Sequence, residues 1–211
     1  MDQRGQRRVA CSAPSQVRGS VSILDGLLAD LTSGDETRAE NAVPGLVELG
    51  EDAFPSLRDL LNSNDADHRW WALRTLAQSS QTQTEWLLPL LDDSSPEVRQ
   101  AAALGLCSHP DDAAIRPLIQ ALSDADTMVS DLARSALIVI GKPAIPSLLE
   151  VPKDAPQRAR INALRAVAEI GDYSAIPTLM AALEDDSVMM QHWAEEGLER
   201  LGLNMMYLKP E

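Results

Sequence analysis

Residues 96–106 read PEVRQAAALGL, with a leucine at 106, a glycine one before it, an alanine four before and an arginine seven before. Spacings of three and four place side chains on one side of an α-helix. The same template recurs along the chain. Anchors fall at Leu46, Leu76, Leu106, Leu137, Val167 and Leu198, about 30 residues apart. Four before each anchor stands an alanine: Ala42, Ala72, Ala102, Ala133, Ala163 and Ala194. One before stands a small residue: Gly45, Thr75, Gly105, Ala136, Ala166 and Gly197. Nineteen before stands a leucine: Leu27, Leu57, Leu87, Leu118, Leu148 and Leu179. Four columns in register across six units define an internal repeat.

Each unit holds two apolar segments of helical period separated by an acidic, turn-rich stretch such as LDDSSPE or LSDADTM. The unit is therefore a helical hairpin. Proline opens the first helix at Pro55, Pro146 and Pro177, where its missing N–H costs nothing. The second helix ends at a glycine, Gly50, Gly141, Gly171 or Gly202, suited to a left-handed cap. A hairpin this short cannot bury its own apolar face, so the chain is expected to be all-α, with six hairpins stacked into a right-handed α-solenoid. The small columns let successive second helices approach closely. Two departures stand out: Pro44 should kink or shorten the second helix of the first unit, and Pro152 in EVPKDAPQ should lengthen the loop of the fifth. The expected organisation is a basic disordered arm over 1–20, one domain of six repeats over 21–203, and an apolar tail, 204–211, folded over the last hairpin.

Composition removes several functions. Eighteen Lys and Arg against 32 Asp and Glu leave a net charge of −14. That balance argues against nucleic acid, whose binding rests on phosphate neutralisation. Two cysteines, Cys11 and Cys107, make no disulfide framework, which points to a reducing cytoplasmic setting. No apolar run is long enough to span a membrane, so no membrane insertion is expected, and the arginines near the start lack the apolar core of a secretion signal. There is no P-loop, G-x-G-x-x-G, G-x-S-x-G or C-x-x-C. The acidic loops lack the ligand order of a calcium loop and read as caps for the helices that follow. Cys107, near the end of a second helix, reads as packing rather than as a nucleophile.

The units PEVRQAAALGL and AIPTLMAALEDDSV resemble HEAT repeats, and more closely the short HEAT-like repeats of the E/F-type phycobilin lyases of cyanobacteria and red algae. HRWWALRTLA (68–77) is similar to an Arg-x-Trp-Ala stretch of the smaller partner in such pairs. The resemblance spans residues 21–203. It implies a protein with no intrinsic cofactor that transiently holds a linear tetrapyrrole and a phycobiliprotein subunit, often beside a second HEAT-like subunit. It leaves open whether the chain attaches bilin, removes it or chaperones the subunit. Other cyanobacterial HEAT-repeat proteins serve as scaffolds, for example in iron–sulfur assembly. The His-Glu dipeptides of HEAT-type di-iron hydroxylases are missing, since His68, His109 and His192 are followed by Arg, Pro and Trp.

In a HEAT-type stack the outer face of the second helix lines the concave surface. At about 100° per residue, Trp71 and Trp193, each five before its anchor, lie opposite the buried stripe, and Trp70 lies on its flank. Leu104, Leu132, Val139, Met128 and Met189 project onto the same face. Arg74 and Arg165, two before their anchors, could clamp carboxylates such as bilin propionates, or pair with nearby glutamates. His192 and His68 flank the tryptophans and could move a proton near a bound tetrapyrrole. The expected binding set is Trp70, Trp71, Arg74, Leu104, Arg165, His192 and Trp193. Arg69, Arg99 and Arg160, seven before their anchors, should bridge acidic loops of adjacent repeats, and Trp86, on a first helix, should be core.

Overall fold

The computed structural model describes residues 15–203, with side chains from residue 23 onward. Six helical hairpins follow one another: α1 (Ser15–Leu31) with α2 (Glu36–Leu49), α3 (Phe54–Leu60) with α4 (Ala66–Ala77), and α5 (Thr84–Leu87) with α6 (Pro96–Ser108). They continue with α7 (Ile115–Ala121) and α8 (Thr127–Ile140), α9 (Ile145–Leu149) and α10 (Gln157–Ile170), and α11 (Ile176–Ala182) and α12 (Val188–Arg200). Among the described residues there is no strand. The first helices of hairpins two to six are short, and a 3-10 turn precedes or extends each of them.

The repeat columns are the core. All six anchors and all six alanines are buried, and so are the first-helix leucines apart from Leu27, which is half-buried in the first described hairpin. The small column sets how closely hairpins approach. A Cβ on Gly197 would stand 2.9 Å from the Ala168 Cβ and 3.0 Å from Leu179, inside contact distance. Second helices pack on second helices more extensively than first helices do on one another. The second-helix layer is thus the inner, concave side of the stack.

Ends and joints follow local chemistry. Asp35, Asp65, Ser95 and Asp126 sit at N-caps and accept backbone N–H groups of the helices they open. Gly50, Gly141, Gly171 and Gly202 all have positive φ, but of the three that directly cap a helix only Gly171 (φ 67, ψ 48) is in the left-handed helical well. Gly50 and Gly141 take ψ near −123 and −136 instead, because each leads straight into the 3-10 turn of the next hairpin.

Two expectations are corrected. The segment 15–20 belongs to helix α1 rather than to a disordered arm. Residues 1–14 and the tail 204–211 lie outside the described residues. Pro44 does not shorten α2, which runs 14 residues through it. Its ring lies on the solvent face, where the Glu40 carbonyl it deprives of a partner meets water. Pro152 does act as expected: α9 stops at Leu149 and seven residues separate it from α10.

Candidate functional site

An arginine ladder fixes the edge formed by the loops within hairpins. Arg69 donates from Nε and Nη2 to the two carboxylate oxygens of Asp93 at 2.7 Å each, and from Nη1 to the Ser63 carbonyl at 2.8 Å. Arg99 repeats the arrangement on Asp124 at 2.8 and 2.9 Å and on the Asp93 carbonyl at 2.8 Å. Arg160 reaches Asp185. Each arginine reaches the acidic loop of the next repeat, and Arg69 and Arg99 also hold their own loop, as the position seven before the anchor implied. The Arg69 guanidinium holds the Asp93 carboxyl below the ordinary carboxylate value. The ladder aligns the second helices, so the residues on their outer face fall into rows.

Those rows end in two tryptophan–arginine clusters. On α4, Trp70 and Trp71 meet edge to face, ring centroids 4.8 Å apart at 89°. The Arg74 guanidinium lies 5.4 and 5.5 Å from the two centroids, a distance at which the ring quadrupoles attract a cation. Its Nη2 donates to Glu40 of the preceding hairpin at 2.6 Å, while its Nε is buried without a partner. On α12, Trp193 carries Arg165 at 4.5 Å on one side and the His192 ring at 5.1 Å. Arg165 Nε donates to Glu169 at 2.7 Å, and buried Arg134 shares the same oxygen at 3.3 Å. Burial, and after it the neighbouring Arg165 charge, push the Arg134 guanidinium below its ordinary value.

Between the clusters the face is apolar and open. Leu104 is 57% exposed, Met128 54% and Val139 53%, with Met189 beyond them at 47% and Leu132 half-buried. A groove of about 410 Å³ is lined by Trp70, Arg74, Gln100, Leu104 and Leu132, among others. A second, of about 740 Å³, lies on the loop side of the same tryptophans. The tryptophans themselves are half-buried: each rests its base on the core and presents the rest to solvent.

The structure thus brings Trp70, Trp71, Arg74 and Leu104 around one groove and sets Arg165, His192 and Trp193 three to four hairpins away. Arg74 and Arg165 are not free clamps, since Glu40 and Glu169 already occupy them, so a ligand carboxylate there must displace a glutamate. His68 faces Ser63 at 3.3 Å and lines the larger groove. Trp86 is not simply core. It is half-buried, edge-on to Phe54 at 5.3 Å, with Arg58 at 5.0 Å over its ring on the first-helix side. Cys107 packs, and burial pushes its thiol above the ordinary value, away from thiolate. Two functional-looking residues were not legible in sequence. Arg134 occupies the position three before its anchor, where four of the other repeats bury Val43, Leu73, Ala103 and Leu164 and the sixth exposes Glu195, and only the fold shows the charge to be buried. His109 donates from Nε2 to the Ala77 carbonyl at 3.1 Å, closing the end of α4 from the next hairpin. Among the described residues no group of His, Cys, Asp and Glu could hold a metal, and no single helix is long and apolar enough to cross a membrane.

Comparisons with known proteins agree with this geometry. The model for HEAT repeats matches residues 84–160 and 145–205. A phycobilisome maturation protein of Synechococcus elongatus is 38% identical over 111 residues, 52% of this chain and 53% of that protein. The bilin biosynthesis protein RpcF of a Synechococcus species is 35% identical over 92 residues, covering 41% and 44%. The chain therefore spans about half the length of the curated relatives it matches. Among solved structures, a chain of the CpcE–CpcF complex of phycocyanin lyase from Nostoc superposes with a TM-score of 0.55 at 26% identity, over 69% of this chain and 98% of that one. With the repeat columns buried as the core of stacked hairpins and the family model covering more than half of its length, this chain belongs to the HEAT-repeat family.

Proposed function

We propose that the protein takes part in attaching bilin to phycobiliprotein subunits, by holding the subunit and the open-chain tetrapyrrole on its concave face. One observation carries this reading: an exposed apolar stripe, Leu104, Met128 and Val139, bounded at both ends by arginine-backed tryptophans. An apolar surface of this extent on a charged protein marks an interaction site. Four second-helix spacings of about 9 Å each put some 36 Å between the clusters, longer than a bilin and suited to a helix of a protein client. The smaller groove beside Trp70, with Arg74 at its edge, suits the bilin: an aromatic wall for the conjugated rings and a cation for a propionate.

The chemistry assigned to this chain is binding and presentation. The thiol that adds to the bilin belongs to the client: Cys107, the free cysteine among the described residues, is packed, and burial pushes its thiol up, away from thiolate. His192, exposed beside Trp193, is the side chain on this face suited to proton transfer. The relatives' names speak for the antenna and against a scaffold in iron–sulfur assembly, and the Nostoc structure is that of a two-protein complex, which supports a second HEAT-like subunit as partner.

The test is co-expression of this chain with a bilin-producing pathway and single phycobiliprotein subunits, with and without a HEAT-like partner. Bilin fluorescence that survives denaturation and depends on this chain establishes attachment. Copurification of a subunit without covalent bilin assigns a chaperone role. Neither signal with any subunit overturns the reading.

A further inference from the structure

The larger groove beside Trp70 and Trp71 has a chemistry that bilin binding does not use. Its rim carries four carboxylates, Glu36, Asp65, Asp67 and Glu97, and no lysine or arginine lines it. None of the four has an arginine or lysine partner among the described residues. Its floor includes the two indoles, which already attract one guanidinium, that of Arg74. At about 740 Å³ it has room for several side chains. Carboxylates around aromatic faces, without a resident cation, make a receptor for arginine.

The same chain supplies a complementary segment. Residues 1–14, MDQRGQRRVACSAP, hold Arg4, Arg7 and Arg8 against one acid, Asp2, in a protein whose net charge is −14. The segment joins α1 at Ser15, and the groove begins at Leu31, the other end of that helix. The 16 steps between them span about 24 Å at 1.5 Å per residue. Extended chain covers up to about 3.4 Å per residue, so Arg7 and Arg4 reach roughly 27 and 37 Å from Ser15 while Arg8 reaches the rim only at full stretch.

We infer that this groove is the docking site of the protein's own N-terminal segment, with Arg7 and Arg4 seated among Glu36, Asp65, Asp67 and Glu97 against the tryptophan pair. Docked there, the segment covers part of Trp70 and Trp71 and competes with a client for them. That consequence rests on the function proposed above, whereas the docking itself does not.

A bimane placed on Gln6→Cys, between the two arginines, reads the contact in the full chain, with Cys11→Ser and Cys107→Ala removing the other thiols. Contact with tryptophan quenches bimane. Docking predicts emission that rises at least two-fold in about 0.5 M salt, which screens the carboxylates, in Arg4→Gln/Arg7→Gln/Arg8→Gln, and in Trp70→Leu/Trp71→Leu. The arginine variant changes nothing in the folded repeats, so a misfolded tryptophan variant leaves the result intact. Emission that none of the three alters overturns the inference. Quenching that grows with protein concentration also overturns it, by assigning the segment to a second copy. No client or bilin enters this measurement, so it fails or succeeds independently of the proposed function. With a client that copurifies, the arginine variant is then expected to bind several-fold more tightly, and unchanged binding removes the competition.

Discussion

At the residue scale, small side chains in this protein act as spacers. Gly197 faces Ala168 and Leu179 at distances that leave no room for a Cβ, whereas Gly26, within α1, has nothing within 4 Å of where its Cβ would be. Gly197→Ala is expected to lower stability by about 1–2 kcal/mol in urea unfolding, overpacking outweighing the gain in helix propensity. Gly26→Ala is expected to raise it by about 0.5–1 kcal/mol, since only the propensity term changes. Equal effects would show that the second helices are not held at contact distance. The tryptophans belong to the same scale. Trp193→Leu and Trp71→Leu keep an apolar base on the core but lose the face on which Arg165 and Arg74 rest. Each is expected to weaken client binding about ten-fold or more in a pull-down titration, as loss of an aromatic anchor does, with the circular dichroism spectrum unchanged.

At the scale of elements, the loops are ordered by the ladder rather than by their own sequence. Arg99 and Asp124 are largely buried side chains, 16% and 12% exposed, joined by two hydrogen bonds. Arg99→Ala leaves the Asp93 carbonyl without its partner and the Asp124 carboxylate with only the Asp126 N–H, and is expected to cost about 2–3 kcal/mol in denaturant unfolding. Arg200→Ala, which breaks an exposed pair with Glu196, is expected to cost no more than about 0.5 kcal/mol. The carboxylates of the ladder also set the acid limit. Asp93 and Asp185 lie below the ordinary value of 3.8, Asp93 chiefly through Arg69 and Asp185 chiefly through the Ser187 backbone N–H. Asp172 is drawn down to about 2 by the Ser174 hydroxyl and N–H and by Lys142. A carboxylate whose folded pKa is depressed stabilises the fold above its unfolded value, and that contribution is lost as pH falls through the folded one. Thermal stability should therefore hold from neutrality to about pH 4 and fall steeply between pH 4 and 2. Asp93→Asn should flatten that fall, and an unchanged profile would detach the ladder from acid stability.

At the scale of the whole molecule, the stack of hairpins is a surface before it is anything else, and its function lies in what that surface faces. Sequence alone determined the architecture. A six-fold column of anchors, alanines and small residues allows one outcome, because each hairpin is too small to bury its apolar side and identical neighbours are the nearest surface available. The arginine ladder was legible for the same reason, since a contact between identical neighbours repeats at the period of the chain. The tertiary structure alone decided what happens where the period breaks. Arg74 to Glu40 and Arg134 to Glu169 join residues 34 and 35 apart that no column predicts, and for Arg74 and Arg165 the fold chooses glutamate pairing, with Glu40 from the preceding hairpin and with Glu169 one turn along, over a free clamp. The same holds for Pro44, harmless because it faces water, and for Trp86, half-buried where a core residue was expected. Periodic positions are fixed by a local rule applied six times. The site residues are the exceptions to that rule, and the contacts that complete their surroundings, Arg74 with Glu40, Arg134 with Glu169 and Arg165 with Trp193, come from about a whole repeat away in sequence, brought together only by the stacking of one hairpin on the next.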